Sequence, residues 1–333
     1  MNLHTRIEIL VNLGNYLTQE TETYKDTKLM AWAENKWFTP EYINLSGKAI
    51  ASNMLQQQIL KEVAIQYQIP DLQSTPKTIG LVMAGNIPYV GLQDLICIFL
   101  SGHRVKIKAS SKDTVLLKHL LTYLIHQYPS IKERISIQEM LKDCDAYIAT
   151  GSDNSARYFE YYFSKYPNII RKNRTSIAIL DGSETIEELD QLADDIQLYF
   201  GLGCRNVTQI WVPRDYDFVP LLTALKKYDD YKNHDKYKNN FDYQLTIAIM
   251  NNKFYMSNDS IVLLENESPF SPISQLHYQH YDKKEKVVHQ LDREKIQCIV
   301  GKGFVPFGKA QSPSLTDFPD GVDTLAFLIN LTQ

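Results

Sequence analysis

The strongest constraint on the fold is a strand–turn–helix pattern that occurs three times between Thr78 and Phe163. In each repeat a short apolar or alternating run is followed by a turn and then by apolar residues at helical spacing. The predicted pairs are Thr78–Met83 with helix 90–100, Arg104–Lys108 with helix 114–128, and Asp145–Ala149 with helix 154–163. This alternation is typical of βαβ units that build a parallel sheet. Such sheets bind ligands at the carboxyl ends of their strands, so the three turns are the predicted cofactor site.

The rest of the chain supplies further helices and a second set of strands. Residues 1–75 are predicted to be mostly helical, including one long helix over Asn53–Tyr67, and Ser110 with Ser111 is predicted to cap the helix that follows. Further strands are expected at 176–180 and 208–212. Residues 226–240, rich in Lys, Asp, Tyr and Asn, are predicted to be a solvated and mobile surface segment.

Composition excludes several classes of protein. A net charge of −4 gives no large basic field to hold a nucleic-acid backbone. No run approaches the roughly 20 apolar residues of a membrane span. Met1–Glu20 is typical of an amphipathic helix rather than a signal peptide, so the cytoplasm is the expected compartment. The four cysteines form no C-x-x-C pair, and no metal site is predicted.

Cys204 is the candidate nucleophile. It directly follows Gly201-Leu202-Gly203, and glycines there let the backbone approach a substrate closely. The backbone N–H of Cys204 could then donate to a developing oxyanion, which is worth about 3 kcal/mol per well-placed donor. An unperturbed thiol has a pKa of about 8.5, and the neighbouring Arg205 could favour the thiolate. The alternative is that Cys204 is a small residue in a tight turn.

The three turns of the parallel sheet carry polar residues that could bind a ligand, and two of these residues also have an ordinary structural interpretation. Asn86 could donate to an oxyanion or could cap its turn. Lys108 could reach a ribose or phosphate or could be a solvated lysine. The turn formed by Thr150, Gly151 and Ser152 precedes a helix whose N-terminus could face a pyrophosphate. The common G-x-G-x-x-G fingerprint is absent from the sequence.

Taken in order, these segments resemble motifs of the aldehyde dehydrogenase superfamily. Four stretches carry the resemblance: Gly85-Asn86-Ile87-Pro88, Val105 to Ser110, Ala149-Thr150-Gly151-Ser152, and Gly201-Leu202-Gly203-Cys204. Within the superfamily the sequence is most similar to the acyl-CoA reductase branch of the LuxC type. The stretch Tyr199–Thr208 resembles its cysteine motif, and 307–311 with 319–324 resembles its C-terminal signature.

The resemblance implies an aldehyde dehydrogenase-like α/β fold with two parallel-sheet domains. The implied borders are residues 1–180 for the helices and the dinucleotide-binding domain, 181–303 for the catalytic domain, and 304–333 for a segment that returns to the first domain. It also implies site roles. Cys204 would be the nucleophile, Asn86 with the Cys204 N–H would form the oxyanion hole, and the remaining residues would bind the cofactor: Lys108, Ser110, Thr150, Gly151, Ser152 and Phe270.

The implied reaction is the reduction of a fatty acyl-CoA to an aldehyde by NADPH, with NADH left open. Hydrolytic relatives carry a glutamate that activates water, and Ile179 stands in its place here. Asp181 is the alternative base. A hydrolytic NAD(P)-dependent aldehyde dehydrogenase and a non-catalytic family member remain the rival functions. By analogy a homodimer is expected, and an acyl-transfer partner protein is conceivable.

Overall fold

A computed structural model describes residues 1–332, apart from the side chain of Asp153. The chain divides into two compact units. Unit 1 contains Met1–Asn173 and Ser312–Gln333, and unit 2 contains Arg174–Gln311. The domain borders implied by the resemblance lay at residues 180 and 303.

Unit 1 begins with four helices that each bury one face. They are α1 (Leu3–Leu17), α2 (Glu22–Glu34), α3 (Pro40–Asn53) and α4 (Gln57–Gln66). Asn2, Thr21 and Thr39 precede the first three helices, and each accepts a backbone N–H of the first turn. The helix predicted over Asn53–Tyr67 is present as α4 but begins later than expected, because α3 ends at Asn53 and the chain turns before Gln57.

The first sheet is parallel and five-stranded, and it contains all three predicted repeats. Its strands and helices are β1 (Thr78–Val82), α5 (Leu92–Leu100), β2 (Arg104–Lys108), α6 (Thr114–Gln127), β3 (Ile135–Ile137), β4 (Ala146–Thr150), α7 (Asp153–Phe163) and β5 (Asn168–Arg171). The strand order is β3-β2-β1-β4-β5. β3 and β5 were not predicted, because they are short edge strands. A 3₁₀ turn over Pro129–Glu133 leads into β3.

The cap predicted for α6 is wrong. Asp113 is the N-cap residue, and no side chain of the described residues caps this helix. The Ser110 hydroxyl instead accepts the backbone N–H of Lys112, at 3.3 Å, within its own turn.

Unit 2 is built on a six-stranded sheet with the order β11-β6-β7-β10-β9-β8. Its elements are β6 (Thr175–Ile179), α8 (Ile186–Gln197), β7 (Val207–Pro213), α9 (Val219–Ala224), α10 (Asp235–Met250), β8 (Tyr255–Ser257), β9 (Val262–Glu265), β10 (Gln275–Tyr281), α11 (Lys284–Gln290) and β11 (Ile296–Val300). Among these strands, only β8 is antiparallel, to β9. A capping box between Thr185 and Glu188 starts α8.

The segment 226–240, predicted to be solvated, is partly buried. It folds into a 3₁₀ turn over Leu225–Asn233 and the first turns of α10. Tyr228, Tyr231 and Tyr237 are buried there, because their rings pack inward, while the Lys and Asp side chains between them face solvent except for the half-buried Asp229.

The C-terminal residues of the chain pack on the core of unit 1. α12 (Thr324–Asn330) buries Leu325 and Leu328 in the same apolar cluster as α5. The Gln93 side chain of α5 donates to the carbonyl of Leu315 at 3.1 Å. Within residues 1–332, no helix is both long enough and apolar enough to cross a bilayer.

Candidate active site

In unit 1 the three predicted turns lie at one edge of the sheet. β1 pairs in parallel with β2 on one side and with β4 on the other, so the carboxyl ends of these strands are neighbours. Asn86, the pair Lys108 and Ser110, and the turn at 150–152 all follow those ends. Strand order changes direction at β1, the place where ligands bind in open α/β sheets.

The first two turns are in contact. A β-carbon on Gly85 would lie 2.5 Å from the Ser110 hydroxyl oxygen, so only glycine fits against that side chain. The Asn86 turn is also held by α3, because the Ser46 hydroxyl of that helix donates to the Pro88 carbonyl at 2.8 Å. Asn86 itself is half-buried.

Asp113 joins the same two turns. Its Oδ2 accepts the backbone N–H of Tyr89 at 3.1 Å, and Tyr89 has a left-handed φ of 63°. Its Oδ1 is buried and has no hydrogen-bond partner among residues 1–332. Burial raises the pKa of the Asp113 carboxyl to about 7, although the Tyr89 N–H opposes the shift.

The third turn is fixed by its own cap and by the neighbouring strand. Ser152 is the N-cap of α7, and its hydroxyl accepts the Ser155 N–H at 3.4 Å. The Gly151 N–H donates to the Arg171 carbonyl at 3.3 Å. The Arg171 guanidinium is fully buried and pairs with Asp94 and Thr324.

In unit 2 the chain approaches Cys204 through a left-handed turn. Tyr199, Phe200 and Gly201 follow one another with φ values of 56°, 58° and 72°. A side chain other than glycine in this region costs roughly 1–2 kcal/mol per residue. Strain of this kind persists only where the surroundings enforce it, and it is concentrated at functional sites.

Asn206 is the main polar support of this loop. Its side chain is completely buried, and its amide nitrogen donates to the carbonyls of Asp195, Ile196 and Leu198 at 3.1, 3.2 and 2.9 Å. Its amide oxygen accepts the Gly203 N–H at 2.7 Å. One side chain therefore satisfies carbonyls at the end of α8 and fixes the backbone next to Cys204.

Aromatic rings support the loop from another direction. The Phe200 ring lies 4.5 Å from the rings of Tyr231 and His234, and the Tyr237 ring lies 6.0 Å away. The Tyr231 hydroxyl donates to the Gln197 carbonyl at 2.8 Å. The tyrosine-rich segment that was predicted to be solvated is thus part of the scaffold of the Cys204 loop.

Cys204 is half-buried and has a second thiol nearby. The Ser176 hydroxyl donates to the Cys204 carbonyl at 3.1 Å and lies 3.0 Å from the sulfur of Cys298. Burial raises the pKa of Cys298, although Ser176 and Arg205 both oppose the shift. Arg205, expected from the sequence to favour a thiolate at Cys204, lowers the pKa of Cys298.

The Phe270 segment lies beside the start of β7. The Gln209 side chain donates to the carbonyls of Glu267 and Ser268, both at 3.2 Å, and the Thr208 hydroxyl donates to Pro269 at 2.5 Å. Within unit 2, Phe270 is therefore held close to the strand that follows Cys204.

Neither Ile179, which the resemblance sets in the place of the hydrolytic glutamate, nor Asp181, the alternative base, has the character of a base. Ile179 is buried with Ile177, Trp211 and Val287. Burial would raise the pKa of Asp181, but hydrogen bonds from Ser183 and the charge of Lys302 lower it to about 2. Asp181 therefore stays ionised and engaged in its turn.

Asn206, Ser176 and Arg171 were missed as site residues by sequence reasoning. Asn206 stands within the cysteine motif itself, so its position was a usable signal. Ser176 and Arg171 offered none, because their roles depend on partners far away in the sequence.

The family model for acyl-CoA reductase (LuxC) matches residues 15–299. The chain belongs to the LuxC acyl-CoA reductase family. It is therefore an oxidoreductase, and both the predicted family and the predicted enzyme class are confirmed. A search of curated proteins found no match to this sequence.

Solved aldehyde dehydrogenases share the fold. The chain is 13% identical to a mutant of the indole-3-acetaldehyde dehydrogenase AldA of P. syringae in complex with NAD+ and IAA, with a TM-score of 0.65 over 87% of this chain and 69% of that one. It is 12% identical to a Mycobacterium tuberculosis aldehyde dehydrogenase complexed with NAD+, with a TM-score of 0.63 over 87% and 70%.

A third structure matches slightly better. Aldehyde dehydrogenase 21 of Physcomitrella patens, in complex with the reaction product succinate, is 11% identical and has a TM-score of 0.67 over 91% of this chain and 74% of that one. The predicted aldehyde dehydrogenase-like fold with parallel sheets is confirmed.

Proposed function

We propose that this reductase converts a fatty acyl-CoA to an aldehyde through an acyl thioester on Cys204. The observation that supports this proposal is the conformation of the Cys204 loop, which passes through left-handed residues and is hydrogen-bonded to the buried Asn206 side chain. Such a loop holds the thiol and its backbone N–H in one orientation before substrate arrives. Acyl-CoA reductase is also the activity after which the family is described.

In the proposed reaction the Cys204 thiolate attacks the thioester carbonyl. We assign oxyanion stabilisation to the Cys204 N–H and the Asn86 side-chain amide. CoA then leaves as its thiolate, and the acyl group stays on sulfur. Because Ile179 is apolar and Asp181 is only weakly basic, no side chain at that position activates water against the acyl-enzyme.

NADPH, or NADH as the alternative, would supply the hydride to the acyl carbon; the C–S bond to Cys204 would then break, releasing the aldehyde and restoring the Cys204 thiolate. The donor set of unit 1 suits a dinucleotide, because an exposed lysine at the end of β2 and hydroxyls after β2 and β4 lie at the same edge of the sheet, on either side of β1. We assign Lys108 and Ser110 to the adenosine ribose or its phosphate. The turn 150–152 with α7 would face the pyrophosphate. Phe270 is assigned to the nicotinamide ribose.

The test is intact-protein mass spectrometry after mixing the enzyme with a long-chain acyl-CoA and no reductant. We expect an acyl adduct that maps to Cys204, disappears on adding NADPH, and releases aldehyde. Cys204→Ser should form no thioester adduct, and Cys144→Ser, which removes a thiol of unit 1, should react like wild type. Acid release without CoA would favour the hydrolytic rival, and absence of any adduct would favour a non-catalytic protein.

Three further assignments belong to this proposal. A nucleophilic thiol suits a reducing compartment, so we place the enzyme in the cytoplasm. By analogy with the superfamily we propose a homodimer, which sedimentation velocity tests directly. If an acyl-transfer protein is the donor, its acylated form should transfer the acyl group to Cys204 when no acyl-CoA is present.

A further inference from the structure

α10 exposes an apolar stripe on the face that points away from its own core. Tyr243, Ile247 and Met250 follow at helical spacing, and Phe254 comes just after the helix. Their exposed fractions are 61%, 36%, 73% and 75%. The helix packs against the sheet through other residues, because Phe241, Leu245 and Ala248 contact the cluster of Val262 and Leu264.

The stripe carries an unusual distribution of charge. No aspartate or glutamate occurs from Tyr243 to Asn258, in a chain that has 39 acidic residues, and Lys253 is the single charged residue there. At 100° per residue, Lys236 lies on the same face two turns before Tyr243. Asp242, the nearest acid, is paired with Lys238 at 2.6 Å. The stripe is thus uncharged along its length and has a lysine at each end: Lys236, which directly follows Asp235, and Lys253, which has no acid within five residues in the sequence.

Two highly exposed isoleucines elsewhere in the described part of the chain have a different setting. Ile65, 77% exposed, stands close to Lys61 and Glu62, and Ile186, 79% exposed, is followed by Glu187 and Glu188. Single apolar residues among charges are ordinary on a protein surface. The α10 stripe instead joins four large side chains without an intervening acid.

We infer that the α10 stripe docks on an anionic lipid surface. Apolar and aromatic side chains along one helix face, with lysines at the borders, are the features that place a helix in the interfacial layer of a bilayer. The lysines fit the negative potential of anionic headgroups. This inference rests on the surface of unit 2 and does not depend on the proposed reaction.

A lipid surface fits the stripe better than a protein partner does. With the exposed fractions given above, the four side chains offer on the order of 500 Å², taking the size that aromatic side chains bury as a guide. A stable protein interface needs about 800 Å² from each partner, polar and apolar surface together, so a protein partner would also have to cover polar surface beside the stripe. Insertion into a bilayer has no such minimum area, since it needs only apolar side chains that reach the acyl chains and basic residues beside the headgroups.

The experiment is flotation of the purified full-length chain with phosphatidylcholine vesicles, with and without phosphatidylglycerol. We expect binding to the anionic vesicles and a loss of about tenfold or more in the double variant Met250→Glu, Phe254→Glu. The matched control is Ile65→Glu, Ile186→Glu, which changes equally exposed apolar residues and should bind like wild type.

A second variant separates electrostatic docking from misfolding. Lys236→Gln with Lys253→Gln leaves the apolar stripe intact and should weaken binding to anionic vesicles while circular dichroism stays unchanged. Wild-type chain that does not float with anionic vesicles would overturn the inference. So would a Met250→Glu, Phe254→Glu variant that still floats, or wild type that forms a dimer which this variant splits. Acyl adduct formation on Cys204, measured in parallel, reports separately on the proposed function.

Discussion

Replacing Asn206 by alanine should loosen the Cys204 loop and destabilise unit 2. The change removes an acceptor from the Gly203 N–H and a donor shared by three carbonyls near the end of α8. A buried N–H without a partner costs about 1–3 kcal/mol. The lost hydrogen bonds to the carbonyls at the end of α8 add about 1 kcal/mol, and the emptied volume adds about another. The expected loss in the free energy of unfolding is about 3–5 kcal/mol.

Urea unfolding followed by fluorescence is the assay, since Trp211 lies buried in the sheet of unit 2 and reports on it. At about 1–3 kcal/mol per M of urea, the midpoint should fall by at least about 1 M. Asn239→Ala, an exposed position on α10, is the matched control and should change stability by less than about 0.5 kcal/mol.

The conservative variant Asn206→Asp tests the direction of the hydrogen bonds. It keeps an acceptor for the Gly203 N–H but turns a carboxylate oxygen toward the carbonyl groups, so it should also be destabilised at neutral pH. A loss below about 1 kcal/mol in Asn206→Ala, or wild-type stability in Asn206→Asp, would refute the role of the amide. The rate at which Cys204 gains an acyl adduct should fall in both variants.

Three other substitutions test the remaining polar and apolar supports. Because burial raises the pKa of Asp113 from 3.8 to about 7, its protonated form favours the fold. The stability that protonated Asp113 contributes is fully present below pH 3.8 and is lost as the pH rises through about 7. In Asp113→Asn the melting temperature should therefore decrease less over this pH range, which thermal unfolding at a series of pH values measures. Arg171→Leu leaves Asp94 buried without its partner and should lower the free energy of unfolding, measured in urea, by about 3–5 kcal/mol. An unchanged free energy of unfolding would show that the pair does not stabilise the protein. Ile179→Glu places a carboxylate in an apolar cluster and should lose about 4 kcal/mol or more; a stable variant that releases acid from aldehyde would contradict this.

The sequence alone predicted the parts of this protein that depend on local pattern. The three strand–turn–helix repeats, the turns with Asn86, Lys108 and Ser152, and the loop of Cys204 follow from spacing of apolar residues and from glycine positions. These features are local, because a strand or turn is specified by residues within a few positions of one another. The edge strands β3 and β5 were missed since three or four residues carry too little periodicity to detect.

Only the tertiary structure decided how the candidate site is held. Tyr199 and Phe200 adopt left-handed backbone that their residue types disfavour, so their conformation comes from the surroundings. Tyr231 and Tyr237 stand in a stretch whose composition indicates solvent, yet the Phe200 ring gives them a surface to bury against. Asn206 finds its partners up to 11 positions earlier in the chain. Composition records how polar a segment is, but the partner that satisfies each buried polar group is chosen by packing between distant segments.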